Sequence, residues 1–209
     1  MRFYTIPPLF RYGFPNVLFR FPPKAQKCIY LTFDDGPQPK NTYRILAMLE
    51  TFNAKATFFC VGENVVRYPE IFQLLTEKGH LTANHTHQHL NGWKTKTTDY
   101  LENVAKAAPF FSNKLFRPPY GKITWSQYRR LSQLGYQVVL WDVLSYDFDA
   151  GIDLAKTAQI IKKHTQDGSI IVFHDHPKAQ PQLEILLPDF LQFWHQKGYA
   201  FEVLPFSKA

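Results

Sequence analysis

Cysteine is nearly absent from the chain, with two residues, Cys28 and Cys60, among 209. So few thiols exclude a disulfide framework in a protein of this size. Both lie inside apolar runs, CIYLTF and ATFFCV, where two buried thiols are expected. Neither has a second thiol or a histidine at ligand spacing, which removes both as zinc ligands. Long apolar runs are missing too, since no segment approaches the ~20 residues of a membrane span. The N-terminus, MRFYTIPPLFRYGFPNVLFRFPPKAQK, has no unbroken apolar core and no small-residue cleavage site, so it does not read as a secretory signal. A cytoplasmic location is therefore expected, with an extracellular or periplasmic one the alternative if a leader has been removed. No internal repeat, low-complexity tract or Gly/Ser linker interrupts residues 28–206.

Acids are missing from one region in particular. Residues 1–27 hold Arg2, Arg11, Arg20, Lys24 and Lys27 and no Asp or Glu, so five of the seven net positive charges lie there. This basic arm, rich in aromatics and proline, could touch a membrane surface or an anionic partner. The favoured expectation is that it packs its aromatics on the domain and leaves its charges solvated. No recognised nucleic-acid motif accompanies the charge, so no nucleic-acid partner is expected. The oligomeric state is not readable from the sequence.

What is present is the composition of a soluble globular domain, 45% hydrophobic and 20% charged. Residues 28–209 are expected to form one domain with a substantial core. Short runs of β-branched and aromatic residues predict strands at 28–33, 56–61, 81–84, 115–117, 137–142, 170–174 and 201–204. Amphipathic stretches predict helices at 42–52, 69–78, 153–166 and 183–197. Gly79, Gly135, Gly168 and Gly198 each follow a helix candidate, where a left-handed cap favours glycine. Strands alternating with helices indicate a parallel α/β fold, either an irregular barrel or a doubly wound sheet.

The polar clusters favour the barrel, because they recur at the C-terminal ends of the predicted strands. TFDDG (32–36), NHTHQH (84–89), RPPYG (117–121), Trp141-Asp142 with Asp147-Phe148 beyond, and FHD (173–175) all fall there. In an α/β barrel these ends share the face on which active sites are built. Asp34 and Asp35 are neighbours in extended chain, so their carboxylates point in different directions and can serve two jobs. His85 and His89, four residues apart, would converge on one face of a helical turn and could grip one metal ion. With Asp35 they form an N/O ligand set that zinc accepts. His87 should point elsewhere. Arg117, stiffened by two prolines, could meet a carboxylate, and an N–H near Tyr120 could face substrate. His174 ends a buried-strand pattern and is a candidate general acid.

These residues resemble the polysaccharide deacetylase family, the NodB-homology domains of carbohydrate esterase family 4, over about residues 28–205. TFDDG matches the first motif, HTHQH the second, RPPYG the third, and VFH at 172–174 resembles the last. The resemblance implies a distorted (β/α) barrel of about seven parallel strands with outer helices. It also implies a divalent metal, most often Zn2+ with Co2+, Mn2+ or Ni2+ as substitutes, held by Asp35, His85 and His89. Asp34 would be the base, oriented by Arg117, and His174 the acid, tuned by Asp147. Tyr120 would contribute its N–H, and Pro119, Tyr120, Trp141 and Phe148 would contact the sugar. The implied reaction is hydrolytic removal of an N-acetyl group from an acetylated amino sugar, chitin-like or peptidoglycan-derived. An O-acetyl esterase acting on a polymer such as xylan, or an inactive carbohydrate-binding relative, are the alternatives. The family's D-x-x-D-W motif is altered here to Leu144, Asp147 and Phe148, so a changed subsite is expected.

Overall fold

The computed structural model describes residues 2–6, 14 and 16–206; Arg11 and residues 207–209 lie outside the described part. Eight parallel strands form the centre: β1 (Cys28–Asp34), β2 (Ala56–Cys60), β3 (Leu81–Asn84), β4 (Leu115–Phe116), β5 (Gln137–Val138), β6 (Val143–Leu144), β7 (Ile170–His174) and β8 (Ala200–Phe201). The helices are α1 (Asn41–Thr51), α2 (Gly62–Arg67), α3 (Pro69–Glu77), α4 (Thr97–Ala107), α5 (Trp125–Gln133), α6 (Leu154–His164) and α7 (Gln180–Gln196). The sheet runs β5-β4-β3-β2-β1-β7-β6, with β8 beside the start of β1. Every residue of β1 is buried, as expected of a parallel strand covered on both faces.

The expected distorted barrel is the observed architecture, but its closure corrects the expected strand at 137–142. The two ends of the sheet, β5 and β6, belong to one extended segment. Val139 N–H donates to the Phe116 carbonyl (2.8 Å), while Asp142 N–H donates to the Ile170 carbonyl (2.9 Å). A single stretch thus leaves the β4 edge and joins the β7 edge, curling the sheet shut. The N-terminal region fills the seam: Leu18 N–H donates to Val138 O (2.9 Å) and its carbonyl accepts from Leu140 N–H (2.8 Å). Farther along, Phe21 runs against Gly168, whose φ is +78°, and a Cβ there would fall 2.1 Å from the Phe21 carbonyl oxygen. Glycine is required at that contact.

Strand alternation divides the core. Ile29, Leu31 and Phe33 face the helices, packing with Ile45, Leu49 and Leu187, and Phe33 stacks between Phe58 and Phe173 at 5.0 and 6.0 Å. Cys28 and Tyr30 face the barrel interior with Phe59, Ala83, Val139 and Ile170. Both cysteines are buried and free. The same period of two carries Thr32 and Asp34 onto the interior side. Two helices, α2 and α4, were not among the expected ones, and α5 is the helix candidate that Gly135 follows. The capping box of α5, Thr124 with Gln127, is a start signal the sequence carries openly. Among the described residues, no helix is long and apolar enough to cross a membrane.

Candidate active site

A cleft of about 1160 Å³ opens over the C-terminal ends of the strands. Asp34, Asp35, His85, His89, Tyr120 and His174 all border it. Asp34 ends β1 and sits in register with His174 at the end of β7, so the expected base and acid are neighbours across two adjacent strands.

Arg117 holds Asp34 in place. Its side chain is fully buried inside the barrel, with the guanidinium 4.2 Å above the centre of the Phe59 ring. One nitrogen donates to both Asp34 Oδ1 and Thr32 Oγ1 at 2.7 Å. The others donate to the carbonyls of Val139 (3.3 Å) and Leu140 (2.9 Å). These two carbonyls lie on the closing segment as it passes between sheet edges. Arg117 therefore satisfies backbone acceptors at the barrel seam and aims the Asp34 carboxylate with the same group.

Asp35 follows directly, turned by a positive φ of 78°. Its Oδ1 lies 3.0 Å from His89 Nε2 and 3.5 Å from His85 Nε2. One ligand atom from each of the three residues lies within 4.8 Å of the others, close enough for one cation to be shared at about 2.0–2.2 Å from each. His85 Nδ1 is 2.8 Å from the Arg117 carbonyl. A carbonyl can only accept, so Nδ1 carries the hydrogen and the Nε2 lone pair faces Asp35. A lone pair aimed at a carboxylate is the arrangement a cation would relieve, and the residues present fit a divalent metal. Burial works to raise the Asp35 carboxyl, but the imidazoles gathered around it, His85, His89 and His174, hold it well below the usual carboxylate range.

The two histidines do not converge through a helical turn, which corrects the expectation. Residues 85–89 form an irregular loop, bent by positive φ at Thr86 (63°) and His89 (54°). Asn84 Oδ1 accepts Thr86 N–H, and Asn103 Oδ1 on α4 accepts the N–H groups of His87 and Gln88. One side chain next to the loop and one from α4 therefore fix it. His87 points away, stacked near Phe110.

His174 Nδ1 lies 2.7 Å from Asp147 Oδ1, and its backbone N–H donates to Asp147 Oδ2 at 2.8 Å. Asp147 is fully buried and also accepts from the Ser145 hydroxyl (2.8 Å). Burial disfavours a charged imidazole, but Asp147, followed by Asp35 and Asp34, raises His174 to about 9. The unfolded value is roughly 6.5. Because the folded value is the higher one, the stabilisation is complete below about pH 6.5 and is lost as pH rises through about 9. In metal-free protein, urea midpoints are expected to fall between pH 6.5 and 9.5, and Asp147→Asn should flatten that decline. An identical slope in the variant would remove the pair as its source.

Among the expected sugar contacts, Tyr120, Trp141 and Phe148 line the cleft, whereas Pro119 is buried and stands outside the lining. Tyr120 adopts φ 60° and its ring meets His89 at 4.7 Å. Trp141 presses on Gly121, where a Cβ would come within 2.6 Å of the indole. Among the described residues, eight non-glycine positions have positive φ, and four of them, Asp35, His89, Tyr120 and Tyr146, border the site. Such concentrated backbone strain is a mark of function. Thr32, Ser145 and Asn103 were missed by sequence reasoning; no spacing pattern links them to the groups they support. Asp175 belongs to the FHD cluster, but the sequence assigns it no role. Burial pushes its carboxyl up to about 7, against hydrogen bonds from Thr42 and Asn41.

Comparison with known proteins agrees with this geometry. Residues 22–139 match the family model described as polysaccharide deacetylase. A peptidoglycan-N-acetylglucosamine deacetylase of Bacillus cereus is 31% identical over 185 residues, covering 86% of this chain and 87% of the relative. Another of the same name and organism is 31% identical over 184 residues, and the match spans 85% of this chain but 66% of that relative's length. A peptidoglycan N-acetylglucosamine deacetylase solved in complex with a naphthalenyl N-hydroxybenzamide superposes with a TM-score of 0.87 at 28% identity, covering 97% of this chain and 99% of its own. The model match extends over more than half of the chain and the relatives align along most of it, so the chain belongs to the polysaccharide deacetylase family.

Proposed function

We propose that this protein hydrolyses the N-acetyl groups of amino sugars within an acetylated oligo- or polysaccharide, with peptidoglycan N-acetylglucosamine as the first substrate to test. The observation that carries this reading is the register of Asp34 with His174, which sets a base and an acid side by side next to the Asp35, His85 and His89 cluster. The names of the relatives direct the choice of sugar.

Asp35, His85 and His89 would hold the metal, with zinc favoured by the mixed oxygen and nitrogen donors. When bound, a divalent cation supplies a Lewis acid for the acetyl carbonyl and acidifies water. Asp34, aimed by Arg117, accepts the proton as water adds to the carbonyl carbon. The Tyr120 N–H is assigned to the oxygen that becomes negative. His174, kept protonated by Asp147, gives its proton to the sugar nitrogen as the carbon–nitrogen bond breaks. Acetate and a free amine result. An amine is a poor leaving group unless protonated, so the His174–Asp147 pair favours amide over ester cleavage. His174→Ala should lower amide hydrolysis more than hydrolysis of a matched acetyl ester, and an equal loss on both would argue against a special amide role for the acid.

Metal binding has its own readout. Zinc added at about 100 times its dissociation constant should stabilise the chelator-treated protein by about 2.7 kcal/mol. This is measurable as a rise in thermal midpoint, accompanied by return of acetate release. Asp35→Ala should abolish the shift. A shift of equal size in that variant would place the ion elsewhere.

A further inference from the structure

The chemistry described so far makes no use of residues 2–6, although they border the same cleft. Phe3, Thr5 and Ile6 line it together with Asp34 and His174. The segment is anchored from several directions. The Arg2 guanidinium pairs with Asp149 at 2.7 Å and donates to the Gly151 carbonyl at 3.1 Å. Phe3 is clamped by the Tyr146 hydroxyl, which accepts from its N–H (3.0 Å) and donates to its carbonyl (3.2 Å). The Tyr4 carbonyl accepts from Leu144 N–H at 2.8 Å, extending the pairing beyond β6. Its hydroxyl lies 2.9 Å from Thr157 Oγ1, and its ring meets Tyr146 edge-on at 5.0 Å.

With its backbone fixed in this way, Phe3 still leaves 58% of its surface exposed. The anchored ring therefore stands in solvent at the edge of the cleft, where it can receive an apolar face. It also continues a row of rings. Phe148 meets His174 at 4.9 Å, and Tyr146 meets Phe148 at 5.5 Å, so aromatic surface extends from the acid outward to the segment that carries Phe3. The cleft itself, about 1160 Å³, exceeds the roughly 300–1,000 Å³ that encloses a drug-sized ligand. A single acetylated sugar would leave much of it empty.

We propose that residues 2–6 form a substrate-binding wall in which Phe3 stacks on the sugar adjoining the one that is deacetylated, so that chains of acetylated sugars are preferred over single acetyl groups. The C–H-rich face of a pyranose ring matches an aromatic face in shape and polarity. The proposal rests on the deacetylase reading above and adds the extent of the substrate to it. It also gives the basic aromatic arm a role at the site, through residues that no catalytic motif includes.

The test compares kcat/KM for a tetramer of N-acetylglucosamine with that for 4-nitrophenyl acetate, in metal-loaded full-length protein. Phe3→Ala should lower the tetramer-to-ester ratio by about three- to tenfold, the range an aromatic contact carries, chiefly through KM. Phe3→Trp should restore the ratio. Arg2→Ala, which frees the anchor, should shift it in the same direction as Phe3→Ala. A ratio unchanged in Phe3→Ala, or equal losses on both substrates, would overturn the wall and leave a structural role only. If the wild type cleaves the ester but releases no acetate from the tetramer, the deacetylase reading fails instead. The wall is then judged by calorimetric binding of the tetramer, where equal affinities of wild type and Phe3→Ala overturn it.

Discussion

Asp34→Asn is expected to lower kcat by about a hundredfold to ten-thousandfold, the share a positioned general base contributes. The substitution is isosteric, so an amide oxygen can still accept from the Arg117 guanidinium as Asp34 Oδ1 does at 2.7 Å. It loses the ability to take a proton. Because Asp35, His85 and His89 are untouched, zinc content and the zinc-induced thermal shift should stay at wild-type levels. That combination separates loss of a base from loss of a metal site. A variant with near wild-type kcat would transfer the base role elsewhere, and Asp175, buried behind Gly36, does not face the cleft to assume it.

Arg117→Ala should be the most destabilising single change in the site. Its partner Asp34 is also buried, and removing one member of a buried pair costs about 3–5 kcal/mol because the remaining charge is left uncompensated. For a domain of this size, with roughly 2–4 °C per kcal/mol, the thermal midpoint should fall by about 6–20 °C. The Val139 and Leu140 carbonyls lose their donor at the same time, so loosening should concentrate at the barrel seam. Hydrogen exchange should quicken in residues 137–144 before it does in β1 or β2. Arg117→Lys should recover little of the loss, since one ammonium cannot span Asp34, Thr32 and two carbonyls. A small, uniform loss of stability would show that the guanidinium serves only to orient Asp34.

Both expectations arise from residues that are prominent in the sequence, and their physical basis shows what was readable there. TFDDG, HTHQH and RPPYG mark the ligands, the base and the arginine, because each follows a strand of apolar or β-branched residues and so falls at a strand's C-terminal end. Extended chain was enough to send the carboxylates of Asp34 and Asp35 in different directions. Cys28 and Cys60 could be read as buried thiols from their apolar neighbours alone. The helix of α5 is readable from Thr124 and Gln127 at its start and from Gly135 beyond its end. Other features had no local signal. The convergence of His85 and His89 looks helical from its spacing but is produced by a left-handed Thr86 and by Asn103 on a different element. The two halves of residues 137–144 pair with strands on opposite edges, and only the curvature of the whole sheet decides that. Pro119 reads as a sugar contact, yet the turn that exposes Tyr120 buries its neighbour.

The sequence by itself determined the chemical inventory and the layer of the fold that would carry it, since strand alternation and strand ends are local properties of a parallel α/β chain. Tertiary structure alone decided which of these groups meet. The register of β1 with β7 set Asp34 beside His174, and closure of the barrel buried Arg117 where it serves both the seam and the base. It also laid residues 2–6 along the cleft. Those encounters join residues far apart in sequence, 83 positions for Asp34 and Arg117, which no periodicity along the chain records.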